Sequence, residues 1–92
     1  MQYLVVEHFR NRDPVPVYRR FREQGRLAPH GLTYVGSWIT TDLSRCYQVM
    51  ECAERALLDE WLENWRDLVD FEVFAVLSSA EVQAQLEPRL TP

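Results

Sequence analysis

Residues 32–52 read LTYVGSWITTDLSRCYQVMEC: two β-branched and aromatic runs, Leu32 to Thr40 and Arg45 to Cys52, joined by the polar turn Thr41-Asp42-Leu43-Ser44. A four-residue connection between such runs predicts a β-hairpin. Downstream, from Glu54 to Leu68, the apolar residues Leu57, Leu58, Trp61, Leu62, Trp65 and Leu68 recur at three- and four-residue steps among Asp59, Glu60, Glu63, Asn64 and Arg66. That spacing predicts an amphipathic helix. A further strand is expected over Val69 to Leu77, after which Ser78-Ser79-Ala80-Glu81 matches a capping box opening a short helix that Pro88 ends. Upstream, residues 2–9 read as a strand, and Asn11-Arg12-Asp13-Pro14 turns into a helix with Asp13 as its N-cap, Pro14 at its first position and Gly25 as its C-terminal cap.

The resulting order is β-α-β-β-α-β. This is the ferredoxin-like arrangement, an α+β class with an antiparallel sheet. Right-handed crossovers put both connecting helices on one face, so the other face of the sheet is left open.

Ninety-two residues correspond to one domain, 1–92, with a modest core. Hydrophobic residues at 47% and charged residues at 26% exclude a disordered or fibrous chain. No run approaches the ~20 apolar residues that cross a bilayer. MQYLVVEHFR has neither a basic lead nor a small-residue cleavage site, so it reads as a strand rather than a signal peptide, and a cytoplasmic location is expected. A net charge of −4 argues against a nucleic-acid binder. Six of the ten arginines nevertheless lie between Arg10 and Arg26, and eleven of the fourteen acids fall from Asp42 onward. Arg19, Arg20, Arg22 and Arg26 thus read as a solvated helix face, or as a dock for an acidic partner. Cys46 and Cys52, placed in one strand, would stand ~20 Å apart at about 3.3 Å per residue, too far for a disulfide. Both are expected to be reduced, buried thiols.

Side chains alternate along a strand, which divides the sheet residues into two sets. Tyr3, Val5, Phe9, Leu32, Tyr34, Gly36, Trp38, Tyr47, Val49, Phe71, Val73 and Ala75 form the more apolar set, with Glu7 and Glu51 its only charges. It is assigned to the helices. Leu4, Val6, His8, Thr33, Val35, Ser37, Ile39, Cys46, Gln48, Met50, Asp70, Glu72, Phe74 and Val76 then form the open face. That face is too apolar for open water, so a second subunit is expected to cover it, closing a two-sheet barrel across a twofold axis.

The string Arg45-Cys46-Tyr47-Gln48-Val49-Met50-Glu51, then Trp61, Trp65 and Asp67-Leu68-Val69-Asp70-Phe71-Glu72-Val73, resembles a family of small uncharacterised bacterial proteins in the dimeric α/β-barrel group. Residues 1–9 and 31–38 share the likeness, which covers nearly the whole chain. The resemblance implies the fold and carries no catalytic residues. The wider group includes cofactor-free oxygenases, haem-degrading enzymes, lactone isomerases and ligand-sensing domains, which implies a small apolar molecule in a barrel cavity.

On the expected open face, His8 would lie near Asp70 or Glu72, and a carboxylate beside an imidazole can hold its tautomer for proton transfer. His8 and Glu72 are therefore the catalytic candidates, against the plainer reading of a hydrogen-bonded rim pair. Ser37, Gln48, Met50 and Phe74 are the candidate ligand-binding residues, with Thr33 as a further hydrogen-bonding group. Trp61 and Trp65 fit core packing better than cofactor stacking. His30 and the cysteines form no metal-site spacing, and no phosphate loop or nucleophile elbow is present, so no cofactor and no metal are called for. The chain thus reads as a homodimer binding a small, mainly apolar molecule on the free sheet face, extended by weak oxygenase- or isomerase-type chemistry. The alternative is a non-enzymatic assembly module whose free face is filled by the partner subunit.

Overall fold

The computed structural model describes residues 1–91. Along the chain run β1 (Gln2–Phe9), α1 (Val15–Gln24), β2 (Thr33–Ile39), β3 (Arg45–Glu51), α2 (Arg55–Glu63), β4 (Val69–Val76) and α3 (Ser79–Leu90), with a 3-10 turn at Arg10–Arg12. The strands form one sheet in the order β2-β3-β1-β4, every neighbouring pair antiparallel. Each of α1 and α2 crosses over one intervening strand, so two right-handed crossovers stack both helices on the same face. The expected α+β, ferredoxin-like βαββαβ arrangement is the one observed.

Three local expectations need correction. The periodic segment after β3 is helical only over Arg55–Glu63; beyond it Trp65 N–H donates to Leu62 O and Leu68 N–H to Trp65 O. These tight i→i+3 turns keep Trp65 and Leu68 inward without continuing the α-helix. At the start of α1 the N-cap position is Pro14, not Asp13; Asp13 Oδ1 accepts the Val15 N–H at 3.0 Å, so the acid serves the helix end from one residue further out. The last helix runs through Pro88 to Leu90; Pro88 has no N–H to give the carbonyl four residues back, and the helix ends two residues beyond it. Its capping box is present: Ser78 Oγ accepts from Glu81 N and Glu81 Oε1 from Ser78 N, both at 3.1 Å.

The division of the sheet into faces also changes. Pairing register places Tyr3 opposite Met50, Val5 opposite Gln48 and Glu7 opposite Cys46. Cys46, Gln48 and Met50 therefore face the helices, and Tyr47 and Val49 face away, the reverse of the assignment made from apolar content. In β2 a bulge between Tyr34 and Gly36 absorbs Val35, and one extra residue exchanges the two sides for everything beyond it. Tyr34 stays on the helix side, but Ser37 and Ile39 join it there while Gly36 and Trp38 turn to the open face. Trp38 is 65% exposed, not part of the core.

Tyr3, Val5, Met50 and Cys52 from the sheet pack with Leu32, Leu58, Trp61, Leu62 and Trp65 as the main core, and Phe9, Cys46 and Val69 form a second cluster. Both cysteines are free and buried. Gly31 sits at φ 95°, where a Cβ would come within 3.0 Å of Leu57 Cδ1, so this turn before β2 needs glycine twice over. No side chain of α1 or α3 is buried. The radius of gyration is 15.6 Å, against about 12 Å for a compact chain of this length. The excess fits α3 leaving the sheet with Val82, Leu86 and Leu90 exposed along it.

Candidate functional site

Because α1 lies on the sheet without burying a side chain, a half-open cavity of about 150 Å³ remains beneath it. The floor is the helix face of the sheet: Glu7 and Phe9 from β1, Cys46 and Gln48 from β3, Ser37 from β2. Val17, Tyr18 and Phe21 of α1 form one wall, Trp61 and Trp65 the opposite one, and Arg26 completes the lining. Aromatic rings therefore surround a small polar floor, the usual composition of a small-molecule site.

The segment after α1 is held in place from α2 and the turn that follows it. Gly25, at φ 75°, donates its N–H to Phe21 O and ends the helix. The next carbonyl, that of Arg26, accepts both indole N–H groups, Trp61 Nε1 at 3.0 Å and Trp65 Nε1 at 2.9 Å. Asn64 Nδ2 donates to Leu27 O at 3.0 Å. Arg20 ties the outer side of α1 to the turn after α2, with Nη1 and Nη2 donating to Asp67 Oδ1 and Oδ2 at 2.8 and 2.6 Å. The two tryptophans thus do more than fill core: they fix the backbone from which Arg26 reaches into the cavity. Its guanidinium carbon stands 3.7 Å from the Tyr34 ring centroid and 5.1 Å from that of Phe21, and Nη1 donates to Gln48 Oε1 at 3.3 Å.

Glu7 is 6% exposed. Burial raises its carboxyl from 4.5 to about 7, against the opposing pull of the Cys46 thiol, which donates to it, and of the Arg26 charge. Desolvation disfavours the carboxylate here more than those two neighbours favour it. Burial, with the adjacent Glu7, pushes the Cys46 thiol up to about 12, so it is a poor nucleophile at neutral pH. Burial likewise raises the Tyr18 phenol. A carboxyl poised near neutrality in a cleft is suited to accepting and returning a proton.

The sequence candidates separate onto the two sides of the sheet. Ser37 and Gln48 line this cavity rather than the free face. Met50, fully buried, lies in the core, and its sulfur accepts from Gln48 Nε2 at 3.2 Å. Phe74 remains on the open face, 48% exposed. His8 and Glu72 are also there, with His8 Nε2 2.6 Å from Glu72 Oε1, and Thr33 pairs across from Glu51 on the same side. Neither His8 nor Glu72 lines the cavity. Glu7 and Tyr18 were not among the sequence candidates, and Arg26 was read only as part of an arginine face or a dock for an acidic partner. The available signal for Glu7 was its isolation, as a lone carboxylate mid-strand among residues assigned to a buried face. Of the four arginines read as one solvated face, Arg20 is paired with Asp67 and Arg26 belongs to the cavity, so they do not form a common patch. Among the described residues, no group of three or more His, Cys, Asp or Glu stands where a metal ion could be held, and no helix is long and apolar enough to cross a membrane.

No curated protein and no solved structure matches the chain. A family model does, over residues 1–90, nearly the whole length. The chain with this sheet and this cavity belongs to the family described as Domain of unknown function (DUF3303).

Proposed function

We propose that the protein binds a small, ring-sized molecule in the cavity beneath α1, with Glu7 able to take up and return a proton at that molecule. The carrying observation is the buried Glu7 carboxyl on the floor of an aromatic-walled cavity of about 150 Å³. A space of about that size holds one benzene ring. Cys46, Gln48 and Ser37 supply hydrogen-bonding groups on the floor, and reversible protonation at Glu7 is the step that isomerase-type or cofactor-free oxygenase chemistry would need. The test is a titration of ¹⁵N-labelled protein with single-ring probes, toluene first, read at the indole N–H signals. Trp61 and Trp65 are expected to move while Trp38, across the sheet, stays still. If toluene and its ring-sized congeners leave both signals unchanged, the cavity is not a ligand site.

A second reading concerns assembly and uses the opposite face, so it does not compete with the first. The open face carries three successive rows: Trp38, Tyr47, Val6 and Glu72; Gly36, Val49, Leu4 and Phe74; and Thr33, Glu51, Gln2 and Val76. Trp38, Val35 and Phe74 are each about half exposed or more, and a contiguous apolar surface of this kind is rare on a monomer. A second copy laid across it would bury these residues and bring the exposed Val82, Leu86 and Leu90 of α3 within reach of the partner. His8 and Glu72 are then rim groups of the contact. Sedimentation at micromolar concentration should give twice the chain mass for the native protein and the chain mass for Trp38→Asp. A monomeric native protein would remove this reading and leave the ligand site untouched.

A further inference from the structure

Arg26 is the one arginine among the described residues that is partly buried and in no ion pair. The other part-buried arginine, Arg20, has Asp67. Arg26 instead lies between the rings of Tyr34 and Phe21 at the mouth of the cavity and gives a single long hydrogen bond, 3.3 Å, to a neutral amide oxygen. The neighbouring carboxyl, Glu7, holds its proton to near neutrality, so below that point the cavity contains a cation and no anion. A guanidinium offers a planar fork that a carboxylate fits with two parallel hydrogen bonds. From that fork the aromatic walls of Phe21, Trp61 and Trp65 lead inward over Phe9 on the floor.

We propose that the ligand of this cavity is a small aromatic monocarboxylate, its carboxylate bound by Arg26 at the mouth and its ring enclosed by the aromatic walls. The assignment rests on the cavity being the ligand site. It carries a pH signature. Glu7 is faced by Cys46 from β3, Tyr18 from α1 and Arg26 from the following loop, while α2 and β4 contribute no titratable group to the lining. Between pH 6 and pH 8.5 the Cys46 thiol and the Tyr18 phenol stay neutral, and guanidinium groups in general do not titrate in that range. Glu7 alone changes, acquiring a negative charge that opposes the ligand's own.

The experiment titrates the full chain with sodium benzoate, benzamide and toluene at pH 6 and pH 8.5, reading the indole signals of Trp61 and Trp65 with Trp38 as the internal control. Benzoate should bind at least tenfold more tightly than benzamide at pH 6. That preference should shrink severalfold at pH 8.5, and only there should Glu7→Gln restore it. Arg26→Gln should abolish the preference; the pH comparison on the native chain makes the conclusion independent of whether that variant folds. If benzamide or toluene moves the two indoles and benzoate binds no better than benzamide, the carboxylate assignment is overturned and the cavity remains a ligand site. If no probe moves them, both readings fall.

Discussion

Replacing Glu7 by Gln should change the pH dependence of stability in a way that isolates one buried proton. The native carboxyl holds its proton to about 7, against its ordinary 4.5. Between those values the folded chain binds a proton that the unfolded chain has released, so native stability falls as pH rises from about 4.5 to about 7 and is flat above. At about 1.4 kcal/mol per pH unit the loss is about 3 kcal/mol. Gln fills the same space without the titrating charge. Glu7→Gln should therefore match the native protein near pH 4.5 and exceed it by about 3 kcal/mol at pH 8, which corresponds to roughly 12–24 °C in Tm for a domain of this size. The assay is urea unfolding followed by tryptophan fluorescence from pH 4.5 to 8.5 at one fixed protein concentration, because self-association would couple stability to concentration. Subtracting the two curves removes groups common to both, including Asp42 and Asp67, whose carboxyls hydrogen bonds hold below the ordinary range. Parallel curves would refute the reasoning, since they would mean that Glu7 titrates alike in the folded and unfolded chains.

Other expectations follow from the packing. Leu58 is fully buried, so Leu58→Ala should cost about 2–5 kcal/mol in chemical denaturation; a cost below 1 kcal/mol would mean that α2 is not seated on the sheet as described. Gly31→Val combines a positive φ with a Cβ 3.0 Å from Leu57 Cδ1 and should lower the unfolding free energy by at least about 1 kcal/mol, whereas an unchanged value would show that the turn relaxes freely. Cys46 is buried and its thiol is pushed up to about 12; iodoacetamide at pH 8 should leave it unmodified in native protein and label it in urea, as read by peptide mass spectrometry. Ser78→Ala removes one arm of the capping box and should fray α3, costing about 1 kcal/mol locally, visible as faster amide exchange over Ala80 to Val82 with α2 unchanged.

How much of this was legible beforehand depended on the range of the interaction concerned. Eight residues of local spacing, with Leu58, Trp61, Leu62 and Trp65, suffice to mark the amphipathic segment that contains α2, and a serine with a glutamate three positions on marks the start of α3. Chain order with right-handed crossovers then implies the sheet and its two unequal faces. Which side chain occupies which face is another matter. In Cys46-Tyr47-Gln48-Val49-Met50 both alternating sets are partly apolar, so the local pattern does not distinguish them, and only pairing with Tyr3, Val5 and Glu7 decides it. The bulge at Val35 reverses the rest of β2 for the same reason, carrying Ser37 inward and Trp38 out.

The sequence by itself determined the elements in outline, their order and the fold class, because propensity, capping and periodicity act within a few residues. The tertiary structure alone decided the cavity. Its floor draws Glu7, Ser37, Cys46 and Gln48 from three strands, Arg26 is aimed by two indole hydrogen bonds, one from α2 and one from the turn after it, and the Glu7 carboxyl is raised by desolvation. Desolvation and enclosure are properties of what surrounds a group in space, and no neighbour along the chain specifies them.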